Sequence, residues 1–217
     1  MPWFYYVCKV IIRILIRILS RWQVKGKENV PRQGPLLVVS NHLHAWDPAV
    51  LGVSLGRKVI FMAKEELFRS RLSAYFLGGL GSFPVHRGKP DRKAIRRSEQ
   101  VLAGGLALAM FPEGSRSENA QLQPALSGSA LIASRSRVPL LPIGITGTDK
   151  IEGWSWILRR PRITVNIGQP FYLPPARSKF TRVELAEHTE FMMERIAELL
   201  PPQYRGVYGG QRSSGED

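Results

Sequence analysis

The stretch Leu36-Leu37-Val38-Val39-Ser40-Asn41-His42-Leu43-His44-Ala45-Trp46-Asp47-Pro48 passes from a short apolar run into polar residues and then into an Asp-Pro pair. A brief apolar run bounded by Pro35 and by polar residues reads as a buried strand. Asp-Pro reads as a helix start, with Asp47 as the cap and Pro48 in the first turn. A second stretch opens in the same way: Leu106 to Met110 is apolar, and Phe111-Pro112-Glu113-Gly114-Ser115-Arg116-Ser117 follows it. Polar residues at successive strand ends are the pattern of an open α/β sheet, where ligands collect outside the carboxyl ends of the strands.

Working outward, Gln23 to Val30, Lys58 to Met62, Ser82 to Arg87, Leu140 to Ile145 and Ile163 to Ile167 read as further strands. Helices are expected over 47–55, 91–102 and 127–137, and a broken one over 64–77. The last helix is the best marked. Thr181 and Glu184 have the spacing of a capping box, and Phe180 and Leu185 that of a hydrophobic staple. Strands alternating with helices predict an α/β fold in a single domain over residues 23–200, with a largely parallel, mixed sheet flanked by helices. Residues 201–217, rich in Gly, Pro and Ser, read as a flexible tail.

Residues 1–22 read as a separate element. Trp3 to Leu19 is almost wholly apolar, yet Lys9, Arg13, Arg17 and Arg21 recur every four residues. On a helix these cations form one stripe, and Trp3, Phe4, Val10, Ile11, Ile14, Leu15 and Ile18 cover the rest. Each cation near a bilayer centre would cost about 2.5–3.5 kcal/mol, which argues against a transmembrane span. The expectation is an N-terminal amphipathic membrane-surface helix, with its apolar face in the acyl boundary and its cations at the headgroups. The alternative is a helix docked on the domain's own core. No small-residue cleavage site follows, so the pattern is not that of a signal peptide.

Composition narrows the partners. The 217 residues carry 31 Lys and Arg against 17 Asp and Glu, a formal net charge of +14. Such an excess favours a polyanionic partner: an anionic membrane surface, an acidic protein or nucleic acid. The single cysteine, Cys8, excludes a disulfide framework and suits a reducing compartment.

The candidate chemistry lies at the strand ends. A histidine at position 42 can take a hydroxyl proton near neutral pH, and Asp47 can fix its tautomer. Alternatively, Asp47 is only a helix cap and His42 only a loop residue. Glu113-Gly114-Ser115-Arg116 offers a flexible glycine, a hydroxyl and a guanidinium, which suit an anion. Lys64 and Arg87 add cations at two more strand ends.

On these residues the chain resembles the glycerolipid acyltransferases, most closely the 1-acylglycerol-3-phosphate (lysophosphatidate) acyltransferases of bacterial type. Asn41, His42 and Asp47 match the family's Asn-His-x4-Asp motif. Gly81 to Arg87 matches its second motif, Phe111 to Ser117 its third, and Val138 to Gly144 its fourth. All four occur in family order and cover roughly residues 24 to 170. The resemblance implies acyl transfer from acyl-CoA or acyl-carrier protein to the sn-2 hydroxyl of a lysophospholipid, giving phosphatidic acid. His42 would be the general base and Asp47 its orienting partner. Lys64, Arg87 and Arg116 would hold the phosphate, with Glu113 and Gly114 positioning the glycerol and Ser115 keeping the motif's hydroxyl. Attack would be direct, with no acyl-enzyme, no metal and no cofactor, at the cytoplasmic face of the cell membrane as a peripheral or monotopic protein. Position 44 departs from the family, with His where small residues are common.

Two rivals come from other classes. Gly52-Val53-Ser54-Leu55-Gly56 matches the G-x-S-x-G pattern of serine hydrolases, but a nucleophile elbow needs strand before helix and the predicted order here is reversed. Nucleic-acid binding is motivated by charge alone; no zinc-finger spacing or aromatic RNA-binding signature supports it, so no nucleic-acid partner is expected. A metal site at His42-x-His44-x-x-Asp47 lacks a second ligand cluster.

Overall fold

The computed structural model describes residues 2–86, 91–174 and 181–210. Among them, seven strands form one sheet: β1 (Arg21–Lys25), β2 (Leu36–Ser40), β3 (Val59–Lys64), β4 (Phe83–Val85), β5 (Ala107–Met110), β6 (Leu140–Thr146) and β7 (Arg162–Ile167). Their spatial order is β1-β7-β6-β2-β5-β3-β4. Every neighbouring pair is parallel except β6 and β7, so the sheet is mixed and largely parallel.

A central parallel strand is covered on both faces and so reads as continuous apolar sequence. β2 shows this, with all five residues buried. Its alternate side chains serve two cores. Leu37 and Val39 join Leu108, Leu140, Ile132, Met192 and Ile196 on one face. Leu36 and Val38 join Val50, Leu51, Ile143, Val165 and Ile16 on the other. The first face is covered by α4 (Arg92–Ala103), α5 (Gly128–Ser136) and α7 (Arg182–Ala197), the second by α1 (Pro2–Leu19) and α2 (Asp47–Ser54). Burying one such aliphatic side chain contributes about 1.5–3 kcal/mol, so the sheet's two faces hold the domain together.

Several boundaries differ from the sequence reading. The first strand begins two residues early, at Arg21, because it pairs in register with β7 from Arg162 onward. The broken helix resolves into a 3₁₀ turn at Glu65–Phe68 and α3 (Arg71–Gly79). The capping box at Thr181 and Glu184 is formed, with Thr181 Oγ1 accepting from Glu184 N and Glu184 accepting from Thr181 N; Phe180 of the expected staple lies outside the described residues. The tail is not loose over 201–210. Two 3₁₀ turns run there, Tyr204 is 9% exposed, and its carbonyl accepts from Leu122 N. An aromatic ring that reaches the core ties down a segment whose composition reads as loose.

α1 corrects the expected orientation of one of its charges, Lys9. Tyr5, Ile12 and Ile16 face the domain, and Phe4 packs so close to Gly79 of α3 that a Cβ there would lie 2.7 Å from the ring. Lys9 turns inward as well, donating to Leu55 O at 2.6 Å and Arg57 O at 3.3 Å. Burial, then the charge of Arg13, lowers its pKa. Arg13 and Arg17 lie over the Trp22 ring. Lys9 is therefore taken by two carbonyls after α2, while Arg13 and Arg17 stay exposed beside the indole. The face left open is apolar, with Trp3, Tyr6, Val10, Ile14 and Ile18 all more than half exposed.

Candidate active site

β2 ends at Ser40, and the next residues turn sharply under the control of side chains. Asn41 is buried and bonded twice to Ile145 of β6, its Nδ2 donating to the carbonyl at 2.8 Å and its Oδ1 accepting from the N–H at 2.7 Å. This pair pins the start of the loop to the neighbouring strand. His42 follows, 6% exposed, with its ring stacked on Phe111 at 4.1 Å between centroids.

Asp47 is fully buried and is not the helix cap that the Asp-Pro step suggests. Trp46 occupies that place, and Asp47 is the first residue of α2. Its carboxylate bends back over the loop instead. Oδ2 accepts from Leu43 N at 2.6 Å and His44 N at 2.7 Å, and meets His42 Nδ1 at 2.9 Å. An ionised carboxylate is an acceptor only, so Nδ1 carries the hydrogen and Nε2 keeps the lone pair. The tautomer follows from that hydrogen-bond network. Oδ1 has no partner.

Glu113 sits beneath the same loop. Its Oε1 accepts from His42 N at 2.8 Å and its Oε2 from Gln123 N at 2.9 Å, so one carboxylate links the loops after β2 and β5. Burial is the main influence and pushes this carboxyl up to about 7; the two N–H donors oppose the rise and the charge of Asp47 adds to it. The resemblance implies a Glu113 turned to the glycerol, whereas the structure spends both oxygens on backbone. Gly114 allows the turn, with φ at +73°, a conformation that residues with a side chain rarely adopt. Ser115 and Arg116 are exposed at its tip.

A groove of about 470 Å³ opens in front of these residues. His42, Lys64 and Arg116 lie on it together, while most of its lining is apolar and comes from α1, α2, β3 and α3. Lys64 pairs with Glu66 at 3.1 Å, with both side chains about half exposed. Such a pair is weak and leaves the ammonium available to an anion. Arg87 lies outside the described residues. Sequence reading missed Tyr5, Lys9 and Ile12 as groove residues, since nothing local ties α1 to β3. It also missed Phe111 as the ring beneath His42, although that residue opens the third motif.

The backbone N–H of His44 donates to the Asp47 carboxylate, and its Nδ1 accepts from Trp46 N at 3.3 Å. Burial lowers its pKa most, with the charges of Arg116 and His42 acting in the same direction and those of Asp47 and Glu152 against it. Among the described residues no group of three or more His, Cys, Asp and Glu is placed to hold a metal ion. Ser54, the centre of the hydrolase-like pattern, closes the last turn of α2 and donates to Val50 O at 2.7 Å. A nucleophile there would be buried in a helix, so the hydrolase reading fails.

Fold and site together are those of an α/β enzyme with a carboxylate-oriented histidine at the carboxyl end of its sheet. The chain belongs to the acyltransferase family, whose model matches residues 21–146. It is 32% identical over 162 residues to a 1-acyl-sn-glycerol-3-phosphate acyltransferase of Streptococcus pneumoniae, covering 70% of this chain and 59% of that one. Another of the same name from Bacillus subtilis is 27% identical over 90% of this chain and 96% of its own. The crystal structure of the 1-acyl-sn-glycerophosphate (LPA) acyltransferase PlsC from Thermotoga maritima superposes with a TM-score of 0.68. Its sequence is 25% identical, over 86% of this chain and 75% of that one.

Proposed function

We propose that this chain transfers a fatty acyl group from an acyl thioester to the sn-2 hydroxyl of 1-acylglycerol-3-phosphate, giving phosphatidic acid. One observation carries the reading: the Asp47-held imidazole of His42 opens onto the same apolar groove as Lys64 and Arg116. A lysophospholipid needs those three things at once, a base for its hydroxyl, cations for its phosphate and apolar wall for its chain.

In this mechanism Nε2 of His42 takes the proton of the 2-hydroxyl as the oxygen attacks the thioester carbonyl. The carbon–sulfur bond then breaks, and the leaving thiolate recovers the proton. Asp47 holds Nδ1–H and stabilises the imidazolium that forms. Arg116, Lys64 and Arg87 bind the phosphate, and Glu113 and Gly114 set the height of the loops around the glycerol, with Ser115 at the tip of the turn. General-base action contributes about 10²–10⁴ in rate, and holding both reactants in one groove contributes the rest. The thioester is an activated donor, so the balanced reaction leaves no electron or group for a cofactor to carry. Acyl-CoA and acyl-carrier protein are the candidate donors.

The open apolar face of α1 supports work at an anionic membrane surface, with the protein peripheral or monotopic on the cytoplasmic face. Among the described residues no helix is long and apolar enough to cross a membrane. The test is an acyl-transfer assay with lysophosphatidate and each donor, comparing the wild type with His42→Ala. Incorporation at sn-2 that the substitution reduces at least about 100-fold is the expected result. Equal turnover by the variant removes the mechanism.

A further inference from the structure

A second cationic pocket lies at the same end of the sheet, on the far edge from Lys64. β7 runs antiparallel to β6, and β1 parallel to β7, so their first residues Arg162 and Arg21 stand level with the end of β6. The site loop is bonded to that same strand through Asn41 and Ile145. Arg21, Lys150, Arg159, Arg160 and Arg162 line a cavity of about 460 Å³, opposed by the two carboxylates of Asp149 and Glu152. Asp149 is already engaged by Gly147 N and the Tyr204 hydroxyl. None of the five cations makes an ion pair among the described residues. Five clustered cations facing two carboxylates leave an excess of positive charge, so their arrangement invites an anion.

Trp154 and Leu158, beside this pocket, are 77% and 76% exposed, the two most exposed large apolar residues described. Trp154 precedes α6 (Trp156–Arg159) and Leu158 lies within it, while Trp156 turns inward onto the core that contains Ile16 of α1. Arg160 closes α6 in the left-handed region, at φ +44°, where a residue with a side chain is uncommon. Its Nη2 donates to Arg17 O at 3.2 Å, which joins this segment to the carboxyl end of α1. The carboxyl end of α1, where Ile18 is exposed, is thus tied to an apolar tip with a collar of arginines. An exposed indole beside arginines is the make-up of a membrane interface, the ring at the headgroup level and the cations on the phosphates.

We infer that segment 147–162 is a second membrane contact, in which Trp154 and Leu158 enter the acyl boundary while the adjoining pocket takes the phosphate of an anionic phospholipid headgroup. This rests on the reading of α1 as a membrane-surface helix, and it adds a second foothold at the end of the sheet where acyl transfer is proposed. With α1 as the only foothold, the bilayer is free to pivot about that helix. With two, the groove mouth is held against the lipid surface.

The test is co-sedimentation of the full chain with vesicles of phosphatidylcholine alone and of phosphatidylcholine mixed with phosphatidylglycerol. Trp154→Ala with Leu158→Ala is expected to lower partition onto both vesicles by about tenfold. Arg159→Gln with Arg160→Gln and Arg162→Gln is expected to lower it on the mixed vesicles alone, by about fivefold per cation, and to flatten its salt dependence. Circular dichroism reports whether each variant is folded, and residues so exposed leave the core intact. Donor KM, measured in neutral detergent micelles, is expected to stay unchanged in the arginine variant. A raised donor KM with unchanged partition assigns the pocket to the donor's phosphates and overturns the inference. A third variant, Ile11→Ala with Ile14→Ala, separates the two readings. If it alone loses binding, the second contact is wrong and α1 keeps its role. If all three variants bind like wild type, the membrane reading of α1 falls as well.

Discussion

His42 and His86 each stand five residues before an aspartate, and the two pairs share their local geometry. Nδ1 meets the aspartate Oδ2 at 2.9 Å in the first and 3.1 Å in the second, and backbone N–H groups donate to that same oxygen in both. Their surroundings differ. The first pair has side chains 8% and 0% exposed, the second 63% and 11%. Asp91 is a true helix cap, accepting from Ala94 N, and its carboxyl falls to about 2, chiefly through the His86 N–H. Asp47 caps nothing. Both ring nitrogens of His86 meet carboxylates, Nε2 reaching Glu65, whereas His42 offers its second nitrogen to the groove. Spacing builds a His–Asp pair; burial, a stacked ring and an unspent nitrogen fit one for proton transfer.

The sharpest way to break this contrast is at the buried pair. His42→Ala and Asp47→Asn are each expected to lower kcat by about 10²–10⁴, measured by acyl transfer to lysophosphatidate. The asparagine still accepts hydrogen bonds from the loop, so its defect should be one of charge and tautomer, with the fold kept. A turnover loss under about tenfold for either would mean that this pair is structural too.

Arg116 comes next. Its guanidinium shares the groove with His42 but touches no reacting atom in the proposed mechanism. Charged hydrogen bonds contribute about 1.5–3 kcal/mol, so Arg116→Ala is expected to raise KM for lysophosphatidate by roughly 10- to 100-fold with a smaller change in kcat. The reverse split would put Arg116 in the chemical step.

Glu113 tests how the buried pair is supported. Glu113→Gln turns an amide nitrogen toward a backbone N–H that needs an acceptor, at a cost of about 1–3 kcal/mol. If the loop carrying His42 shifts in response, kcat should fall about tenfold or more. The carboxyl also gives a pH signature. Unfolded, it releases its proton near 4.5; folded, near 7. Between those values the folded state holds the extra proton, so stability is greatest below the window and declines as pH rises through it. The decline attributable to Glu113 is on the order of 3 kcal/mol. Denaturant titrations across that range should show it in the wild type and not in the glutamine variant.

What was legible in the sequence was local. The apolar run Leu36 to Ser40, the capping box at Thr181 and the five-residue step from His42 to Asp47 all lie within one turn or strand, and each formed. What was not legible depends on distant partners. Lys9 reads as a headgroup cation until Leu55 and Arg57, 46 and 48 residues away, supply carbonyls for it. Asn41 needs Ile145, 104 positions on. Asp-Pro is a sound helix start, so the sequence reads Asp47 as a cap as well as a partner of His42, and only the fold of the preceding loop brings three donors to its carboxylate. Residues 201–210 differ from the tail reading for the same reason: Pro and Gly content predicts looseness, and Tyr204 overrides it by reaching the core; residues 211–217 lie outside the described residues.

The exposed pair should give the smallest effects. His86 is a surface side chain in ion pairs, and such pairs contribute about 0–1 kcal/mol. His86→Ala is therefore expected to change kcat by less than about threefold. Asp91→Ala removes a helix cap as well, at about 1 kcal/mol, which in a chain of this size lowers Tm by roughly 2–4 °C with turnover kept. Scanning calorimetry beside the acyl-transfer assay separates the two readouts. In the buried pair the activity loss should far exceed any change in Tm; in the exposed pair the Tm change should come first. If His86→Ala silenced the enzyme as thoroughly as His42→Ala, burial would not be what distinguishes them, and proton transfer would have to be sought at the loop after β4.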